Sequence, residues 1–207
     1  MRKILITQSL SVLCILFSTA IFAQESKTEF GIKGGLNLAR INGGVSDIHN
    51  LRPGIHAGVF AEHTFNNFIG IQGELLYSMM GDRESGSSFI YESNTYKYKH
   101  TVKNDYIVLP VLAKLYVAKK LSIDLGPQLG YMISSKEKRS INNVESSVSY
   151  YDHYEKFDVA IAVGLSYKLG NRFSVSGRCN IGLIEIYDSM NKSLNQVAQF
   201  GIGYRLK

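Results

Sequence analysis

The amino-acid sequence predicts an all-β chain folded as one eight-stranded antiparallel up-and-down transmembrane β-barrel, and three observations predict it. Eight segments alternate apolar and polar side chains with a period of two, as strands with one dry and one wet face do. Their connections alternate between tight turns and long polar stretches, as in barrels whose two rims face different compartments. Past the N-terminal leader no apolar run is long enough for a membrane helix, although 45% of the residues are hydrophobic.

The 207 residues suit a single domain. Residues 1–23 set Arg2 and Lys3 before an uncharged run from Ile4 to Phe22, then end on Ala23 ahead of Gln24. That is the pattern of a secretory signal peptide cleaved after Ala23, leaving 24–207 as the barrel domain and the cell outer membrane as the expected address. Removing Arg2 and Lys3 lowers the formal charge from +6 to +4. The remaining basic residues are scattered, so no nucleic-acid partner is expected. Cys179 is then the sole cysteine, with no disulfide partner in the chain.

The first strand, Phe30–Leu38, sets Phe30, Ile32, Leu36 and Leu38 against Gly31, Lys33, Gly35 and Asn37. The second, Gly54–Phe65, sets Ile55, Ala57, Val59 and Ala61 against His56, Gly58, Glu62 and Thr64. Asn66 and Asn67 turn the chain, and the third strand, Phe68–Ser78, opposes Ile69, Ile71, Leu75 and Tyr77 to Gln72 and Glu74. Strands four and five form the hairpin Tyr106–Tyr131, YIVLPVLAKLYVAKKLSIDLGPQLGY, turning at Ala118, Lys119 and Lys120. Its apolar face includes Ile107, Leu109, Leu115, Ile123, Leu125 and Leu129; its polar face carries Tyr106, Lys114, Tyr116, Ser122, Asp124 and Gln128. Strand six, Phe157–Leu169, turns Asp158 and Lys168 inward, strand seven, Arg172–Leu183, turns Arg178 inward, and strand eight, Val197–Leu206, turns Arg205 inward. The gaps 39–53, 79–105, 134–156 and 185–196 are long and polar, and are expected to be extracellular loops. Pro110 and Pro127 fall inside strands, where each removes a ladder donor, so a bulge or locally open pairing is expected there.

The hairpin segment YIVLPVLAKLY, the opening FGIKGGLNLA and the closing FGIGYRLK together resemble the PorT-type outer-membrane β-barrel family of Bacteroidetes. Tyr106, Leu109, Pro110, Leu112 and Lys114 fill the positions of that family's central Tyr, aliphatic, Pro, Leu and Lys strand. The resemblance covers roughly residues 24–207 and implies a fold and an outer-membrane address, with lipid and the barrel-insertion machinery as partners. It implies no activity, because function lives in sites and not in folds.

Two sets of candidate residues follow. Glu62, Glu74, Asp124 and Asp158 face Lys33, Lys114, Lys168, Arg178 and Arg205 inside the barrel, with His56 among them. An eight-stranded barrel has room for side chains but not for a wide channel, so these charges are expected to neutralise one another as a structural network. Tyr91, Tyr96, Tyr98, Tyr150, Tyr151 and Tyr154 lie in the long polar gaps and form the candidate surface for an extracellular or envelope partner. No catalytic, cofactor or metal site is expected: the five histidines lack ligand spacing, and none pairs with a Ser in a hydrolase pattern. The expected role is non-enzymatic, structural or surface-binding. The alternatives are a small gated channel and a soluble lipocalin-like carrier, whose apolar set would face inward.

Overall fold

The computed structural model describes residues 27–42, 49–91, 94–141, 144–149, 155–185 and 193–206. The leader and its cleavage site lie outside these residues. Ten strands follow one another: β1 Lys27–Asn42, β2 His49–Asn50, β3 Arg52–Thr64, β4 Ile69–Tyr91, β5 Asn94–Ala118, β6 Leu121–Ile141, β7 Val144–Ser149, β8 Phe157–Leu169, β9 Phe173–Gly182 and β10 Leu194–Arg205. All but the short β2 and β7 close a ring in the order β1, β3, β4, β5, β6, β8, β9, β10, with every pairing antiparallel. The seam runs from Gly31 opposite Arg205 to Asn42 opposite Leu194. A closed ring has no edge strand, which is the condition for a sheet to cross lipid.

The period of two decides the faces. Ile32, Val59, Leu75, Leu109, Leu125, Val163 and Ile202 are exposed on the outside, whereas Asn37, Ser78, Gln128 and Gln199 are buried inside. A carrier with an apolar interior is therefore excluded, and the outer face is suited to hydrocarbon. Aromatic residues border this belt: exposed Phe30, Phe68 and Phe173 toward the short turns, and exposed Tyr131 and Phe157 toward the other rim. Phe173 stacks at a tilt on Tyr204 at 5.1 Å, and Tyr131 meets Phe157 edge-on at 5.2 Å. Such paired girdles mark the two membrane interfaces.

The short-turn rim is built from local chemistry. The Asn66 side-chain oxygen accepts the amides of Phe68 and Ile69, each at 2.9 Å, so the turn is closed by its own side chain. Gly170 has φ +66°, a left-handed conformation that a side chain would strain.

At the opposite rim the structure corrects the expected boundaries. The segments 79–105 and 134–156, expected as loops, are largely strand: β4, β5 and β6 are 23, 25 and 21 residues long. A tilted crossing needs only about 9–11 residues, so roughly half of each stands beyond the apolar belt. β2 and β7 widen this extension by pairing with upper β4 and upper β6.

The prolines interrupt the ladder as expected, and they do so as open pairing. On the β4 side no pairs form between Gly73–Val111 and Leu76–Val108, and on the β6 side none form between Pro110–Gln128 and Ala113–Leu125. The register is the same above and below each gap, so the wall opens without slipping. Gly126 permits this, since a Cβ there would run into the Val111 carbonyl oxygen.

Candidate functional site

Alternation along eight strands brings the inward polar residues into one lumen, which is filled in three layers. Nearest the short turns, Glu62 on β3 accepts the Tyr116 hydroxyl at 2.5 Å and lies 2.6 Å from Lys168 Nζ and 3.8 Å from Lys114 Nζ. Lys114 also reaches Asp124, directly opposite it on β6, at 3.2 Å. Asp124 accepts the hydroxyls of Ser122, at 2.7 Å, and of Ser166. Glu29 joins Arg205 at 3.2 Å to Lys168 at 3.6 Å.

The middle layer centres on Glu74, whose carboxylate is fully buried. Lys33 Nζ and Arg178 Nη2 each lie 2.9 Å from its oxygens, and the Gln72 amide donates to it at 2.6 Å. Arg178 and Asn180 donate to the Gln199 carbonyl, whose own amide donates to Asn37 at 3.1 Å. His56 Nδ1 is 2.7 Å from the same Asn37 oxygen. Most polar atoms in this chain are satisfied by a neighbour, as a dry interior demands, while His56 Nε2, Arg178 Nη1 and Asn180 Oδ1 have no hydrogen-bond partner among the described residues.

The third layer was not foreseen. Ala39, Ile41, Leu76, Met80, Val102, Tyr106, Val108, Met132 and Val197 form a buried apolar cluster across the lumen toward the long-strand rim. Asp158 lies beside it, taking the Asn195 amide at 3.0 Å. The lumen expected to be polar throughout thus carries an apolar layer above its charged ones, with buried Asn104 and Ser135 bonded to each other nearby at 2.9 Å.

Of the residues selected from sequence, Lys33, Glu62, Glu74, Lys114, Asp124, Lys168, Arg178 and Arg205 meet in ion pairs, while Asp158 pairs with an amide. Glu29 was missed, although the inward parity of Lys33 and Gly31 runs straight back to it. With Glu29 included, five carboxylates stand against five cations. The void left among Lys33, Glu62, Lys114 and Lys168 measures about 20 Å³, room for about one water. Among the described residues no group of three His, Cys, Asp or Glu is placed to hold a metal ion.

Tyr91, Tyr96 and Tyr98 lie on strands rather than loops: Tyr91 ends β4 opposite Asn94, Tyr96 faces Phe89, and Tyr98 faces Ser87 and Ile141. Tyr150, Tyr151 and Tyr154 lie outside the described residues.

The family model described as outer membrane protein beta-barrel domain matches residues 22–188. A search of the curated proteins found no match. Among solved structures, the chain resembles Ail, the attachment invasion locus protein of Yersinia pestis, in complex with the heparin analogue sucrose octasulfate, at 18% identity and a TM-score of 0.49, covering 87% of this chain and 99% of that one. Neisserial surface protein A gives 9% identity and a TM-score of 0.45, over 88% and 100% of the two chains. Outer Membrane Protein W of E. coli gives 13% and 0.37, over 88% and 100%.

Proposed function

Because this chain belongs to the outer membrane protein beta-barrel domain family, we propose that it is a non-enzymatic barrel that holds a strand-built binding surface outside the cell. The observation that carries this reading is the pairing of β4 with β5 as far as Tyr91 and Asn94, far beyond a lumen closed by ion pairs and an apolar layer. A paired extension holds its surface in one shape, and so loses less conformational entropy on binding than a free loop would. Tyr91, Tyr96 and Tyr98 are the contact residues on this reading, with Tyr150, Tyr151 and Tyr154 as further candidates. In biogenesis the leader is removed after Ala23, the insertion machinery places the barrel in lipid, and the extension faces outward. The hairpin motif around Pro110 supports a place among the PorT-type barrels of Bacteroidetes, which it resembles.

Trypsin applied to intact cells tests the orientation and the exposure together. Cleavage at Lys97 or Lys99, with the barrel core left protected in the membrane, is the expected result. A hairpin that resists trypsin until the cells are opened overturns it. Planar-bilayer recordings separate the binding reading from the channel: stepped conductance by the pure protein would assign it to the channel class.

A further inference from the structure

The outer face of the extension holds a second site, unrelated to the lumen. A groove of about 330 Å³ is lined by Arg52, Arg83, Lys99, Thr101, Lys103 and Lys138, among others. Cross-strand register assembles it: Arg83 on β4 stands opposite Thr101 on β5, Thr101 opposite Lys138 on β6, and Lys103 opposite exposed Lys136. Asp82, Val102, Asn104 and Glu137, the alternate residues, are buried on the lumen side, so the lysines occupy the outside.

Among the described residues the groove carries an excess of positive charge. Glu137 is buried on the inner face, where it pairs with His100 and with Arg139, which also lines the groove, so that among the described residues one lining cation is ion-paired and the others are not. Asp105, the acid on the groove's own side, is engaged by Tyr77 and lies beside Arg52. Among the described residues Lys99, Lys103 and Lys138 have no ion pair, and the buried Nε of Arg83 has no hydrogen-bond partner. Several like charges around one groove repel, and an anion seated among them removes that penalty.

The position selects the anion. Directly below the groove, on the same face of the same strands, stand Ile107 and Leu109 of β5 and Tyr131 and Ile133 of β6, all exposed. The groove therefore begins where the apolar belt ends, at the level of the lipid headgroups. We propose that it binds the phosphate group of an outer-leaflet lipid whose acyl chains lie along Ile107, Leu109 and Ile133. The Arg83 guanidinium offers a planar fork to phosphate oxygens, and the lysines add point charges around it. The proposal requires the long-strand rim to face outward, but it does not require the hairpin tip to bind a partner.

Native mass spectrometry of the folded barrel in detergent tests it. The probes are a singly phosphorylated glycolipid, the same glycolipid without its phosphate, and inorganic phosphate as a competitor. The protein is expected to retain the phosphorylated lipid about tenfold over its counterpart, and to lose that preference in about 1 M salt. Replacing Lys99, Lys103 and Lys138 by Gln is expected to abolish the preference while heat-modifiable gel mobility persists, and replacing Lys119 and Lys120 at the other rim leaves it intact. If the triple variant does not fold, Lys103→Gln alone and the salt series on the unaltered protein carry the test. Equal retention of both lipids, or a preference that survives the triple replacement, overturns the proposal. So does displacement of the lipid by millimolar inorganic phosphate, which assigns the groove to a soluble anion.

Discussion

Removing the charge of Glu74 leaves Lys33 and Arg178 buried, their side chains 8% and 4% exposed, without an anion between them. Glu74→Gln is therefore expected to cost about 3–5 kcal/mol of stability, seen as a lower urea midpoint for the folded gel band. The chain has no Trp, so gel mobility is a more practical signal than Trp fluorescence. Lys27→Ala is the contrasting case: that side chain is 73% exposed beside Glu29, and its loss is expected to shift stability by no more than about 0.5 kcal/mol. Alternation in the sequence was enough to place Lys33, Glu74 and Arg178 inside. It could not pair them, because they come from β1, β4 and β9 and meet only across the lumen. Period two settles the side of the wall, and the curvature of the ring settles the partner.

Strand centres were legible and strand ends were not, for a reason visible in β4, β5 and β6. Within the membrane one face meets hydrocarbon and the other meets the lumen, so hydropathy alternates. Above the belt the outer face meets water instead of hydrocarbon; Lys99, Thr101 and Lys103 follow one another there with no apolar signal, though the hydrogen-bonded ladder continues. The prolines were legible because their effect is local and covalent. Where they open the wall, the amides of Leu109, Val111, Leu112, Gly126 and Gln128 are expected to exchange with deuterium faster than those of 113–117 and 121–125. Uniform protection along β5 would show that the gap is closed. Gly126→Val places a side chain against the Val111 carbonyl and is expected to destabilise the barrel by about 1–3 kcal/mol, measured by the same urea titration.

For the whole molecule, the even strand number and the alternation of short and long connections were enough to indicate a ring. The apolar layer was not legible, because inward Leu76, Val108 and Met132 only weaken an alternating pattern and look like noise until the wall curves them together. With that layer above and balanced charges below, recordings in planar bilayers are expected to show no discrete conductance steps. The seam between β1 and β10 has a further consequence. Its two strands come from opposite ends of the chain, so the first strand is left without its closing neighbour until the last has been made. Every shorter chain is an open sheet with two raw edges, each a template for another chain. The seam thus acts as a clasp: protection against edge-to-edge pairing arrives all at once with β10, and until that moment both edges stay open to another chain.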